Sequence, residues 1–215
     1  MSSTVCSTGL SCTSKSNTCL GRLEVGIDDG SAVHAASTHS EGKAMVIVRV
    51  PKNDELSLTT ALDAGAAGII IPHVESAQEV KDMMKEMYYR KTPLSFQVPP
   101  LSLAAPLGHR SFSPWTFTPG VYDASLYPKD KYNVATSNNH VCIIPQIESV
   151  KGIENADEIA AVPGVHALMF GPGDYLIDAG LDLEGALSGQ PDPAFLEAMG
   201  KFGAAAAKHG LPIFG

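Results

Sequence analysis

Residues 141–174 read VCIIPQIESVKGIENADEIAAVPGVHALMFGPGD, and this stretch decides the fold. Its first seven residues, VCIIPQI, form a near-continuous apolar run. Such a run suits a strand buried on both faces, as parallel sheets require. A helix is expected from about Ser149 to Ala161. Ala167–Phe170 (ALMF) then reads as a second buried strand, closed by Gly171. Strand, helix and parallel strand in succession define a right-handed crossover unit.

The same unit recurs upstream. A helix over Ser31–Ser40 with Gly42 as its stop precedes an apolar, β-branched run at Met45–Val50. Asn53 or Asp54 can cap a helix that runs to about Ala64, where Gly65 ends it. Gly68–Pro72 (GIIIP) is another buried strand, and Ser76–Tyr89 an amphipathic helix. A short strand is expected at Arg110–Ser113. Downstream come an alanine-rich helix over Asp192–His209 and a last strand from Leu211 to Phe214.

This alternation predicts an α/β fold with a parallel sheet. No GxGxxG follows a strand and no P-loop is present, which removes the Rossmann and P-loop readings. Polar residues instead follow the carboxyl ends of several strands: Arg49, His73, Glu148 and Asp174. That distribution points to a (β/α)8 TIM barrel, whose chemistry gathers at that face. Six strands are legible where a barrel needs eight. The expectation is therefore an incomplete barrel over 23–215, its first two strands missing or replaced. Residues 1–22 lack periodicity and are expected to be disordered. An insert at about 91–105, rich in Pro, Leu and Ser, fits neither period.

The chain has 215 residues and a formal net charge of −8, which argues against a nucleic-acid partner. No apolar run reaches the length of a membrane helix, and Met1–Cys19 lacks the apolar centre of a signal peptide. Cys6, Cys12, Cys19 and Cys142 match no common zinc spacing and read as free thiols in a reducing compartment, hence a cytoplasmic protein.

Glu148 and Asp174 each follow a strand, one crossover unit apart. Carboxylates at adjacent strand ends can share one hard divalent cation such as Mg2+. The alternative is that Glu148 only starts a helix and Asp174 only caps one. The Gly171-Pro172-Gly173 turn beside Asp174 leaves backbone N–H groups suited to a substrate carboxylate. Arg49 ends an apolar strand and needs an anionic partner, either a structural carboxylate or a substrate gripped by its fork. His73 is a candidate acid–base group or a satisfied polar residue. Asp63, in ALDAGAAG, reads as a surface group or an intersubunit contact. Tyr132, in a long loop, reads as surface decoration.

Two long strings go further. VRVPKNDELSLTTALDAGAAGIIIPHVESAQEV (48–80) and PQIESVKGIENADEIAAVPGVHALMFGPGDY (145–175), with the order between them, resemble the hydroxy-ketoacid aldolase and citrate-lyase β-like family. The resemblance implies a barrel that assembles into homo-oligomers, commonly hexamers. It implies carbon–carbon lyase chemistry through a pyruvate enolate, made by decarboxylating oxaloacetate or by aldol cleavage, with Mg2+ or another divalent cation such as Mn2+. In that resemblance Glu148 and Asp174 are the metal ligands and Arg49 holds the enolate oxygen. His73 and Tyr132 line the pocket and orient a second substrate, and Asp63 matches a carboxylate that helps place a catalytic His.

Three features depart from the family. Its second strand ends in an acid–Glu–His–Gly string, whereas GRLEVGIDDG puts Val25 where the His belongs. The insert near 91–105 has no counterpart. The chain also stops inside its last strand. These departures support an alternative expectation, an inactive fragment or misjoined gene product of such an enzyme.

Overall fold

The computed structural model describes residues 19–23, 44–89, 108, 110, 138 and 141–215. The expected helix over 31–40, the insert near 91–105, Val25 and Tyr132 lie outside them.

Among the described residues six strands form one sheet: β1 Cys19–Leu23, β2 Ala44–Arg49, β3 Gly68–Ile71, β4 Cys142–Ile147, β5 Leu168–Phe170 and β6 Ile213–Phe214. They lie side by side in chain order, and every adjacent pair is parallel. The parallel α/β sheet expected from the apolar runs is thus present. Two details differ from the reading of the sequence. The sheet begins with β1, inside the N-terminal segment that shows no periodicity. Backbone pairing with β2 recruits it, a tertiary contact that period alone cannot reveal.

Of the strand expected at Arg110–Ser113, only Arg110 is among the described residues. Gly68–Ile71 pairs directly with Cys142–Pro145, so that edge of β3 is already filled. Arg110 is not in a strand; its N–H donates at 3.1 Å to the carbonyl of Tyr88, the residue that follows the helix ending at Met87.

The helices are α1 Glu55–Asp63, α2 Ala77–Met87, α3 Val150–Glu154, α4 Ala156–Ala160, α5 Pro172–Asp178, α6 Leu183–Leu187 and α7 Pro193–His209. Their starts follow from side chains that satisfy first-turn amides. Asp54 accepts the Ser57 N–H at 3.0 Å and Ser76 accepts the Glu79 N–H at 3.3 Å. Asp192 caps α7, with Pro193 in its first turn and Gly210 ending it at φ 65°. The single helix expected after Ser149 is broken at Asn155 into α3 and α4. There the Asn155 side chain leaves the helix to donate to the Glu75 carbonyl at 2.8 Å.

Alternation along the strands splits the sheet into two faces. Val46, Val48, Ile69, Ile71, Ile143, Ile147, Leu168 and Phe170 pack against Leu58, Val80, Met84, Met87, Ile159, Phe195 and Phe202 from the helices. The opposite face carries a smaller cluster of Ile47, Ile70, Ile144, Ala167 and Met169. Two residues past Ile47 and Ile144 on that second face come Arg49 and Gln146. The face therefore turns from apolar to polar as the strands reach their carboxyl ends.

Candidate functional site

Glu148 is the residue around which the site is built. It is 1 % exposed although it follows directly on β4. Its Oε1 accepts the backbone N–H of His73 at 2.8 Å, and its Oε2 accepts from Gln146 Nε2. The His73 imidazole Nδ1 lies 3.2 Å from the same Oε1. Arg49 donates through Nε to Gln146 Oε1 at 3.0 Å and holds its Nη2 3.8 Å from Glu148 Oε1. Burial pushes the Glu148 carboxyl above its ordinary value. The His73 amide and ring and the Arg49 charge pull it back, while Asp174 adds to the rise.

Asp174 reaches the same place from the first turn of α5. One ligand atom each from His73, Glu148 and Asp174 all lie within 4.8 Å of one another. Two carboxylates and an imidazole nitrogen at that spacing fit a divalent cation, which takes oxygen ligands and tolerates nitrogen. The buried, raised Glu148 carboxyl fits it as well, because a cation would relieve the desolvation that burial imposes on the charged form.

Close packing makes this convergence possible. A β-carbon on Gly171 would stand 2.3 Å from Glu148 Oε2 and 2.7 Å from Glu148 Cβ. Only glycine lets the end of β5 pass so near the carboxylate. The Gly171 N–H bonds to the Ile147 carbonyl at 3.0 Å, and Pro172 has none. Gly173 and Asp174, whose N–H groups have no carbonyl partner within their own helix, stand in the first turn of α5.

The chain does not bring Asp63 to this cluster. Asp63 ends α1, just before β3 begins and so at the far end of the strands from Glu148. Its Oδ1 takes an ion pair from Arg110, a guanidinium that lies 4.6 Å over the Tyr89 ring. Gln146 is the site residue that the sequence reading missed. Its signal was a polar side chain at an inward position of an otherwise apolar strand, two residues before Glu148.

A parallel α/β sheet with an acid–imidazole–arginine cluster at the carboxyl ends of its strands is consistent with an incomplete TIM barrel, a fold class whose sites lie at that face. The chain belongs to the HpcH/HpaI aldolase/citrate lyase family, whose profile matches residues 29–215. It is similar to the crystal structure of macrophomate synthase, with 62% identity and a TM-score of 0.73 over 90% of this chain and 62% of that one. An HpcH/HpaI aldolase structure from Desulfitobacterium hafniense is 25% identical, with a TM-score of 0.66 over 92% of this chain and 67% of that one. Among curated relatives, the 2-dehydro-3,6-dideoxy-6-sulfogluconate aldolase of Pseudomonas putida is 36% identical over 131 residues, covering 61% of this chain and 43% of the aldolase. The 5-keto-4-deoxy-D-glucarate aldolase of Klebsiella pneumoniae is 29% identical over 167 residues, 77% of this chain and 55% of the enzyme. The chain spans about half the length of these two curated relatives.

Proposed function

We propose that this chain carries the site of a divalent-metal-dependent carbon–carbon lyase acting on a small 2-oxo acid, oxaloacetate or a pyruvate aldol, through a pyruvate enolate. The convergence of Glu148, Asp174 and His73 beside Arg49 carries the reading. The family and its aldolase members support the reaction class.

Glu148 and Asp174 would hold Mg2+ or Mn2+. A bound cation supplies Lewis-acid stabilisation of charge that develops on the substrate keto oxygen. Arg49 adds a fixed positive charge, braced by Gln146, on the same side of the sheet. In decarboxylation the bond from C3 to the departing carboxylate breaks, and its electron pair is delocalised onto the keto oxygen. Carbon dioxide leaves and C3 then takes a proton. His73, whose side chain is 55% exposed beside Glu148, is the chain's group for moving that proton. The Gly171-Pro172-Gly173 turn would bind the substrate carboxylate through the amides of Gly173 and Asp174. Tyr132 would orient a second substrate.

Assembly into a homo-oligomer belongs to the same reading. Exposed apolar side chains on α5, α6 and α7, Ile177, Leu187 and Leu196 among them, support it. Asp63 would act on catalysis only from a neighbouring copy, because in its own chain it faces Arg110. No described helix is long and apolar enough to cross a membrane.

The test is calorimetric titration of the chain with Mg2+ and Mn2+, paired with an oxaloacetate decarboxylation assay. Glu148→Gln should weaken cation binding by about 100-fold or more, beyond the 10–100-fold typical of residues that only support a ligand, and leave the chain folded. Unchanged binding in that variant would remove the metal assignment. Cation binding without turnover would favour the inactive-fragment reading.

A further inference from the structure

His73 adopts φ 50°, the left-handed region that a residue with a β-carbon rarely enters. Both of its backbone polar groups are held. Its N–H is taken by Glu148 Oε1, and its carbonyl accepts from Lys52 Nζ at 2.7 Å. The same Nζ lies 2.9 Å from Glu79 Oε2, which also accepts the Glu75 N–H at 2.8 Å. The next residue, Val74, donates its N–H to the Gln146 carbonyl at 3.0 Å. A β-carbon on Gly152 would stand 2.7 Å from the Val74 carbonyl oxygen, so α3 presses on the turn from the other side. Lys52 itself lies in a turn, next to Asn53 at φ 61°.

We propose that Lys52 is a positioning residue. It locks His73 in the left-handed conformation and, through the His73 backbone, fixes the Glu148 carboxylate for its ligand. The cation arm of this inference rests on the metal reading above; the clamp itself does not. A left-handed residue with a side chain persists only where its surroundings over-determine it. Here the Glu148 bond to the His73 N–H, the Lys52 bond to its carbonyl and the Val74 bond to the Gln146 carbonyl supply that constraint. Release of the carbonyl would let the peptide relax and carry the N–H away from Glu148. Lys52 lies at no strand end and touches none of the ligand atoms, so it acts only through His73.

Hydrogen exchange at the His73 amide reads the clamp directly, without metal. Lys52→Met should speed that exchange by about tenfold, within the range that one strained backbone conformation can supply. Lys52→Arg should restore most of the protection. Lys208→Met, which removes an exposed ion pair to Asp157 on another part of the fold, should not change it. The stability lost on Lys52→Met should shrink in a His73→Gly background, since glycine enters the left-handed region freely. Calorimetry then asks whether Lys52→Met weakens Mn2+ binding in step with the loss of protection. Unchanged exchange in Lys52→Met, or equal acceleration in Lys208→Met, overturns the proposal. If the unsubstituted chain fails to bind Mn2+ while Lys52→Met still speeds exchange, the metal reading falls and the clamp stands.

Discussion

Glu148 and His73 are 75 positions apart, yet one carboxylate oxygen of Glu148 accepts the His73 backbone N–H at 2.8 Å and lies 3.2 Å from the His73 imidazole. That relationship joins the ends of β3 and β4 and gives the site its shape. The acid is buried against a turn whose backbone is bent to meet it. Asp174, arriving from β5, completes a group of three potential ligands that no single strand could assemble.

Gly171→Ala tests how tightly that group is packed. The new methyl would enter the space of Glu148 Oε2, and the backbone at Gly171, φ −106°, offers no other reason for glycine. The carboxylate must shift. Overpacking of this kind costs about 1–3 kcal/mol. Weaker Mn2+ binding with a modest fall in Tm is the expected pair of readings. Unchanged affinity would mean that Glu148 can move without consequence.

Arg49→Lys separates charge from geometry. Arg49 bonds Gln146 through Nε while Nη2 approaches Glu148, a fork that a lysine ammonium cannot reproduce. Oxaloacetate turnover should fall by about 10²–10³, the usual loss for a preorganised electrostatic donor. Tm should change little, since the Arg49 side chain is about one-third exposed. Full activity would reduce Arg49 to a structural partner of Gln146.

Asp63→Asn distinguishes a structural carboxylate from a catalytic one. The Arg110 side chain is 2% exposed and depends on Asp63 for its ion pair. The Asn amide oxygen can still accept from Arg110 but supplies no counter-charge to the buried guanidinium, and weakening such a charge-assisted bond costs about 1–3 kcal/mol. A lower Tm with unchanged Mn2+ affinity is expected. A loss of turnover that appears only in an assembled oligomer would instead place Asp63 in the site of a neighbouring copy.

His166 should set a pH limit on stability. Its Nδ1 accepts the Ile143 N–H at 3.1 Å, so this nitrogen must be unprotonated in the fold. Desolvation holds the imidazole below its ordinary value of 6.5, against a smaller opposing effect from a hydrogen bond to the Gly164 backbone. The unfolded chain therefore binds the proton more readily. Stability is fully present above the unfolded value and falls as pH drops through the window beneath it. Chemical denaturation between about pH 7 and 5 should show this slope, and His166→Gln should flatten it. Equal slopes in the two proteins would refute the linkage.

The sequence alone was enough for the parallel α/β arrangement. Ile-rich runs such as GIIIP and CIIPQI are too apolar for any strand with a wet face, and cap residues stand at the helix starts, Asn53 or Asp54, Ser76 and Asp192. It also singled out Arg49, His73, Glu148 and Asp174, side chains that the fold brings together, because a polar residue just past a buried strand stands out against its neighbours. Strand partners were a different matter. β1 has too little pattern to be read as a strand, and only its ladder with β2 defines it. The order of the sheet was not legible either: β3 pairs directly with β4, where the sequence suggested a further strand between them. The site's supporting residues were hidden for the same reason. Gln146 looks like one polar residue within a strand, and Lys52 like an ordinary surface lysine. Asp63 sits in the string that resembles the family, yet its carboxylate turns to Arg110. Period and residue type are local properties that a sequence carries in full. Which carboxylate meets which backbone amide across 75 positions is set by sheet register and by the direction of each turn, and only the folded chain decides those.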